Sequence, residues 1–148
     1  MKNNYLVKTP CIGICSTTYG DDICRGCKRF SHEVTAWIKY SDIEKDNVNA
    51  RLQKFKVLIL SDKFSIVDDQ KLFNFMKNNK IMFNDELNPL CWIFDLLRAS
   101  SDDKLDLSEY GIEVKSSFKD LTNVELKDLI NREFFELSVA HFDRYLRS

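Results

Sequence analysis

Four of the five cysteines in this 148-residue chain lie within seventeen residues near its start. The spacing is Cys11-x3-Cys15, then eight residues, then Cys24-x2-Cys27. Two close pairs separated by a loop suit a tetrahedral metal site, because each pair can wrap one turn around the ion while the loop joins the turns. The pattern therefore predicts a metal site whose four ligands are these thiolates.

The spacing leaves two kinds of metal centre open. Zinc takes four thiolates readily, and it suits two short turns that are followed at once by a helix. An iron–sulfur cluster also accepts four cysteines and would make the site redox-active. The layout favours zinc slightly and keeps the cluster as the alternative. Since four thiolates fill a tetrahedral ion, a zinc site of this kind is structural rather than catalytic.

The residues between and beside the cysteines support the same interpretation. Gly13 and Gly26 lie inside the two pairs, where tight turns often need a backbone that other residues resist. In such turns, backbone N–H groups can point at sulfur and lower the pKa of the thiol. We expect Arg25, Lys28 and Arg29 to offset the negative charge of four thiolates locally.

Nothing in the sequence indicates export or a membrane. The opening MKNNYLVKTP lacks the apolar run of a signal peptide, and no later stretch approaches eighteen apolar residues. We therefore expect a cytoplasmic protein with no membrane partner. In that reducing compartment, closely spaced cysteines are more often metal ligands or redox groups than disulfides.

The charge is unevenly distributed along the chain. Residues 1–60 hold 10 Lys and Arg against 6 Asp and Glu, a net +4, whereas residues 61–148 hold 12 against 17, a net −5. A positive half suits an acidic partner such as nucleic acid or an acidic protein. Because the thiolates themselves call for nearby cations, we expect a protein partner and keep nucleic acid as the weaker alternative.

The remainder of the sequence predicts a mainly α protein, in which a small loop-rich four-cysteine knuckle is followed by a helical domain. Capping boxes begin two helices, one at Ser41 with Glu44 and one at Thr122 with Glu125, and Asn88 before a proline begins another. The predicted helices cover about 31–40, 42–60, 68–78, 89–99 and 122 to the C-terminus. Residues 61–65 are expected to be a connection, and 106–118 either helix or a short strand. We divide the chain into a cysteine module, 1–60, and an acidic helical domain of unknown type, 61–148.

Two further residues have definite expected roles. Cys91 lies among apolar residues of a predicted helix, so we expect a core residue rather than a fifth ligand. Trp37 is expected to anchor the helix after the knuckle, because so small a module needs a large apolar side chain.

The sequence presents no Ser/His/Asp set, phosphate-binding glycine loop or paired carboxylates. These features predict a non-enzymatic metal-binding adaptor, with an iron–sulfur redox or electron-transfer protein as the alternative.

Residues 10–56, about a third of the chain, also resemble a known family. The residues that carry the resemblance are Pro10, Cys11, Ile12, Cys15, Cys24, Arg25, Gly26, Cys27, Arg29, Glu33, Trp37, Ser41, Glu44 and Leu52. The family is the bacterial domain-of-unknown-function family 1289, small cytoplasmic proteins often labelled predicted iron–sulfur proteins. The resemblance implies a metal-binding module with the four cysteines as ligands and no established reaction. This chain departs from the family at Lys28, where many members carry glycine.

Overall fold

A computed structural model describes residues 9–11, 16–100 and 104–146 of the chain. Within these residues, helices dominate and only two short strands occur, so the predicted mainly α fold is confirmed. The elements are α1 Ser31–Ala36, α2 Asp42–Lys63, β1 Phe64–Ile66, α3 Asp69–Asn78, α4 Pro89–Ala99, β2 Ile112–Val114 and α5 Asn123–Tyr145. Short 3-10 helices cover Ser16–Tyr19, Trp37–Lys39, Leu107–Tyr110 and Ser116–Phe118.

Contacts divide the chain into two compact units. The first unit combines the residues up to Phe55 with those from Phe134 onward, and the second unit is Lys56–Glu133. Helices α2 and α5 therefore each contribute residues to both units. These units are defined by contacts, whereas the division at residue 60 follows charge and motif, and it stays a prediction.

The first unit begins with a small backbone loop around the second cysteine pair. Ile23 and Phe30 form an isolated antiparallel bridge, and the Cys24 N–H donates to the Arg29 carbonyl at 2.8 Å. Helix α1 follows directly, as predicted. Its first turn is closed by Glu33, whose Oε1 accepts the Phe30 N–H at 2.8 Å.

Helix α2 begins with the predicted capping box. The Ser41 N–H donates to Glu44 Oε1 at 3.0 Å, and the Glu44 N–H donates to Ser41 Oγ at 3.2 Å. The apolar side of α2 and one side of α5 then enclose the core of the first unit. Its buried apolar side chains are Ile23, Cys24, Cys27, Phe30, Val48, Leu52, Phe55 and Phe134. The cysteine pair is thus part of this core.

The second unit contains the two-stranded sheet. Strands β1 and β2 are antiparallel, and Phe64 pairs with Val114 and Ile66 with Ile112. The prediction of a connection at residues 61–65 was wrong, because α2 continues to Lys63 and the strand follows at once. A buried Phe64 explains the strand, since its side chain enters the core of this unit. Of the two structures considered for residues 106–118, a short strand is present at Ile112–Val114.

A glycine closes the sheet of the second unit. Gly111 has a φ of 80°, and its carbonyl accepts N–H groups from Val67 at 2.7 Å and Asp68 at 3.2 Å. A Cβ at this position would overlap the carbonyl oxygen of Asp68, so only glycine fits.

Among the described residues, no helix combines the length and apolar character that crossing a membrane requires.

Candidate metal centre

The second cysteine pair forms a tight, buried turn. Cys24 and Cys27 are 1% and 4% exposed, and their sulfur atoms lie within hydrogen-bonding reach of each other. The Lys28 N–H donates to the Cys24 carbonyl at 2.8 Å, which closes the turn over the intervening residues. The two side chains predicted to be neighbouring ligands are therefore brought together.

Backbone donors surround the Cys24 sulfur. Burial alone acts to raise the pKa of the Cys24 thiol, because it disfavours the thiolate. Against burial, the backbone N–H groups of Cys27, Ser16 and Gly26 donate to the sulfur, and the pKa falls below its ordinary value. The Cys27 thiol contributes in the same direction. This sulfur is therefore prepared to carry negative charge, as a metal ligand must.

The Cys27 sulfur accepts a hydrogen bond from a side chain. Burial raises the pKa of its thiol, and the Arg29 guanidinium acts to lower it. Arg29 Nε donates to Cys27 Sγ at 3.2 Å, and the guanidinium carbon lies 4.9 Å from the centre of the Trp37 ring. Trp37 therefore contacts the turn through Arg29, and its expected role as the apolar anchor of the helix stays a prediction.

Lys28 follows the cysteine turn in a left-handed conformation. Its φ is 69°, in the region that favours glycine over residues with a Cβ. The side chain is fully buried, and its ammonium donates to the carbonyl oxygens of Arg25 and Gly26, the latter at 3.0 Å. The lysine therefore folds back over the turn and bonds two of its carbonyl groups, which helps to hold a backbone conformation that glycine would adopt without strain.

An ion pair ties α1 to α2 beside the turn. Glu33 is buried, and its two carboxylate oxygens accept from Arg51 at 2.6 and 2.7 Å. The Arg51 guanidinium also lies 4.1 Å from the centre of the Phe30 ring. Because Glu33 also accepts the Phe30 N–H, one carboxylate fixes both the helix start and the chain that leaves the cysteine turn.

The end of α5 covers this region of the first unit, which the sequence did not reveal. The ring of Phe134 lies 5.4 Å from the Lys28 ammonium, and that of Phe135 lies 4.5 Å from the Arg25 guanidinium. Phe142 lies 5.1 Å from Phe30 between ring centres. The sequence predicts a helix over these residues, but nothing in it indicates that three of its aromatic side chains contact the turn around the second cysteine pair.

The first cysteine pair is only partly described. Cys11 is exposed, and its N–H donates to Thr9 Oγ1 at 3.3 Å, while Cys15 lies outside the described residues. In the part of the chain that is described, no group of three or more His, Cys, Asp or Glu side chains can hold a metal ion. The four-cysteine site and its knuckle therefore stay predictions, of which the described residues supply one pair.

This geometry can be compared with known proteins. Residues 9–56 match the model of the family described as "Protein of unknown function (DUF1289)". The resemblance noted in the sequence is thereby confirmed for that segment, about a third of the chain. No curated protein matches the chain, and no solved structure does.

Within the DUF1289 segment, most of the residues that carried the resemblance have a defined contact. Arg29 donates to a cysteine sulfur, Trp37 lies under Arg29, and Glu33 holds the start of α1. Lys28, the expected departure from the resembled family, lies where the backbone is left-handed, a conformation that glycine adopts without strain. The partner of Glu33, Arg51, was not recognised from the sequence.

Three basic residues of the DUF1289 segment are engaged within the first unit. Lys28 and Arg29 are buried against the cysteine turn, and Arg51 is paired with Glu33. Arg25 is exposed and lies 3.6 Å from the Asp21 carboxylate. Lys39 and Lys54 are exposed as well, so the positive charge of this segment is divided between internal contacts and the surface.

The second unit contributes no comparable sulfur site. Cys91 is completely buried, and burial raises the pKa of its thiol to about 11, so it is the core residue that its position predicted. A cleft of about 680 Å³ lies beside β2. The Asp68 and Asp106 carboxylates in its lining accept backbone N–H groups at the starts of helices, and the Ser108 hydroxyl donates to Asp106. These polar groups complete the backbone of the unit, and we assign them no chemistry.

Proposed function

We propose that this protein is a small cytoplasmic metal-binding adaptor whose four cysteines, Cys11, Cys15, Cys24 and Cys27, hold one structural metal centre. Zinc is slightly favoured, and an iron–sulfur cluster that makes the protein a redox or electron-transfer protein is the alternative. The metal would join the two cysteine pairs, and no reaction is assigned to it.

The observation that carries the proposal is the environment of the two buried sulfurs. Cys24 receives three backbone N–H groups and Cys27 receives a guanidinium N–H. At Cys91, by comparison, burial raises the pKa of the thiol to about 11, whereas the pKa of Cys24 falls below its ordinary value despite burial. Donors converging on two neighbouring sulfurs suit thiolate ligands, and thiolates select zinc or iron–sulfur clusters over harder metals.

A second contact supports a contribution from the first cysteine pair. Ser16 follows Cys15 directly in the sequence, and its N–H is one of the donors to the Cys24 sulfur. Its hydroxyl also accepts the Arg25 N–H at 2.8 Å. Ser16, the sequence neighbour of Cys15, is therefore held at the buried pair.

Two exposed isoleucines of the first unit support the adaptor role. Ile38 and Ile43 are 92% and 73% exposed, one in the 3-10 helix after α1 and one in the first turn of α2. Isoleucine at this exposure contributes nothing to the core and suits contact with another protein. We therefore propose a protein partner, with nucleic acid as the alternative that a gel-shift series at low salt would reveal.

The metal can be identified on protein purified without oxygen. The zinc proposal predicts a colourless preparation with about one zinc per chain and no visible absorption. A brown preparation that contains iron and acid-labile sulfide and bleaches on reduction would replace the adaptor with the redox alternative. A preparation with neither metal, and with no uptake of zinc by the reduced protein, would refute both.

A further inference from the structure

Arg29 is a buried cation next to a proposed ligand. Arg29 is 4% exposed, and its Nε donates to Cys27 Sγ at 3.2 Å. The flat guanidinium lies against Trp37, 4.9 Å from the ring centre. Within residues 9–11, 16–100 and 104–146, no carboxylate forms a salt bridge with it.

A buried guanidinium needs a negative charge nearby. Arginine stays protonated in proteins, and burying a charge without a partner is costly. The Trp37 ring face compensates part of that cost through a cation–π contact. The Cys27 sulfur, which accepts the Arg29 Nε–H, is a described neighbour that can carry negative charge. Four thiolates around a divalent ion would in turn leave an excess of about two negative charges, for which Arg29 is the buried counterion.

We propose that Arg29 is a positioning residue of the cysteine site. It directs the Cys27 sulfur through its Nε–H, it compensates the charge that thiolate ligands bring to the bound ion, and Trp37 holds its plane in place. This inference rests on the proposed metal-binding function. It adds that metal affinity depends on a specific guanidinium contact rather than on the general positive charge of the segment.

The chain provides a matched control in the same turn. Arg25 lies between the two cysteines in sequence, carries the same charge, and is exposed beside Asp21 and Phe135. No hydrogen bond from its guanidinium to sulfur is present among the described contacts. R25Q therefore removes one positive charge close to the site without removing a sulfur contact.

The test measures zinc affinity of the full-length protein by competition with a chromogenic chelator. Because removal of an outer-shell partner typically weakens metal binding by about 10- to 100-fold, we expect a loss of that size in R29Q and less than about threefold in R25Q. R29K keeps the charge but loses the planar fork and its stacking, so we expect an intermediate loss. Equal affinities of R29Q and R25Q would overturn the inference.

A second readout separates positioning from folding. At saturating cobalt, the sulfur-to-cobalt charge-transfer band reports the electron density on the sulfurs, which a hydrogen bond to Cys27 Sγ alters. We expect a shifted band in R29Q and R29K and an unshifted band in R25Q. If R29Q fails to fold, R29K decides the question, and wild-type affinity with an unshifted band in R29K would overturn the inference. Wild-type protein that binds neither zinc nor cobalt refutes the proposed function itself, and the inference falls with it.

Discussion

The ion pair between Glu33 and Arg51 offers a quantitative test of how the first unit is held together. Glu33 → Gln (E33Q) keeps the size of the side chain, and its amide oxygen can still accept the Phe30 N–H. It removes the negative charge that receives two Arg51 donors at 2.6 and 2.7 Å. The substitution therefore isolates the ion pair from the helix-capping contact.

The expected magnitude follows from burial. Removing one partner of a buried ion pair typically costs about 3 to 5 kcal/mol, because the other charge remains without compensation. The Arg51 side chain is 16% exposed, so water can reach it and the cost lies at the lower end of that range. We expect a loss of about 3 kcal/mol, which corresponds to roughly 100-fold in an opening equilibrium.

The assay is amide hydrogen exchange of α1, because exchange reports local opening of one part of a structure. Glu44 is the matched control, since it occupies the same capping position in α2 and accepts the Ser41 N–H, but it is exposed. We expect exchange in α1 to accelerate by about 100-fold in E33Q, and exchange at the start of α2 to change by less than about threefold in E44Q. Adding Arg51 → Met to E33Q should restore much of the protection, because no buried charge then remains unpaired.

Two results would refute this reasoning. The first is equal acceleration of exchange in α1 by E33Q and in α2 by E44Q. It would mean that the ion pair adds no stability to that of the helix-capping hydrogen bond. Alternatively, the E33Q/R51M protein could be as labile as E33Q, which would show that loss of packing rather than an unpaired charge causes the effect.

Three further predictions follow from the same structure. Burial and the charges of Arg51 and Lys54 lower the pKa of His141, although Glu33 acts to raise it. The unfolded chain therefore takes up the proton more readily, and the free energy of unfolding of the first unit should fall as pH drops below about 6.5. H141Q should flatten this pH dependence in urea titrations. Burial raises the pKa of Cys91 from 9.0 to about 11, so the free energy of unfolding of the second unit should fall as pH rises through that range, by roughly 3 kcal/mol at most. C91A should show a smaller fall, and an equal dependence of unfolding free energy on pH in C91A and wild type would contradict this. Replacing Cys24 or Cys27 by Ser, or adding a chelator, should open the segment around Trp37 to protease while the second unit stays protected, whereas unchanged protection around Trp37 would show that no metal organises it.

Local sequence signals predicted much of the fold. The boxes at Ser41 with Glu44 and at Thr122 with Glu125 both form, because each needs only residues three apart along one helix turn. The pairing of Phe64 with Val114 was missed, since partners 50 residues apart leave no local pattern in strands of three residues. Short strands of this kind are specified by tertiary packing rather than by propensity.

The candidate site shows the same limit. The cysteine spacing is visible in the sequence, and it correctly drew attention to the turn at Cys24 and Cys27. The donors to these sulfurs are mainly backbone N–H groups and Arg29, and no residue pattern specifies where a backbone N–H points. Arg51 lies 18 residues from Glu33, so its role depends on the packing of two helices. The cover provided by α5 depends on tertiary contacts in the same way.

The most direct test of the central claim is the number of sulfur ligands on the metal. X-ray absorption at the zinc edge, on protein purified without added metal, measures both ligand type and distance. Four cysteine ligands predict four sulfurs at about 2.3 Å, and C11S, C15S, C24S or C27S should each replace one sulfur by a lighter atom or abolish binding. A zinc ion held by fewer than four sulfurs in the wild-type protein, or a spectrum that none of the four substitutions changes, would contradict the account.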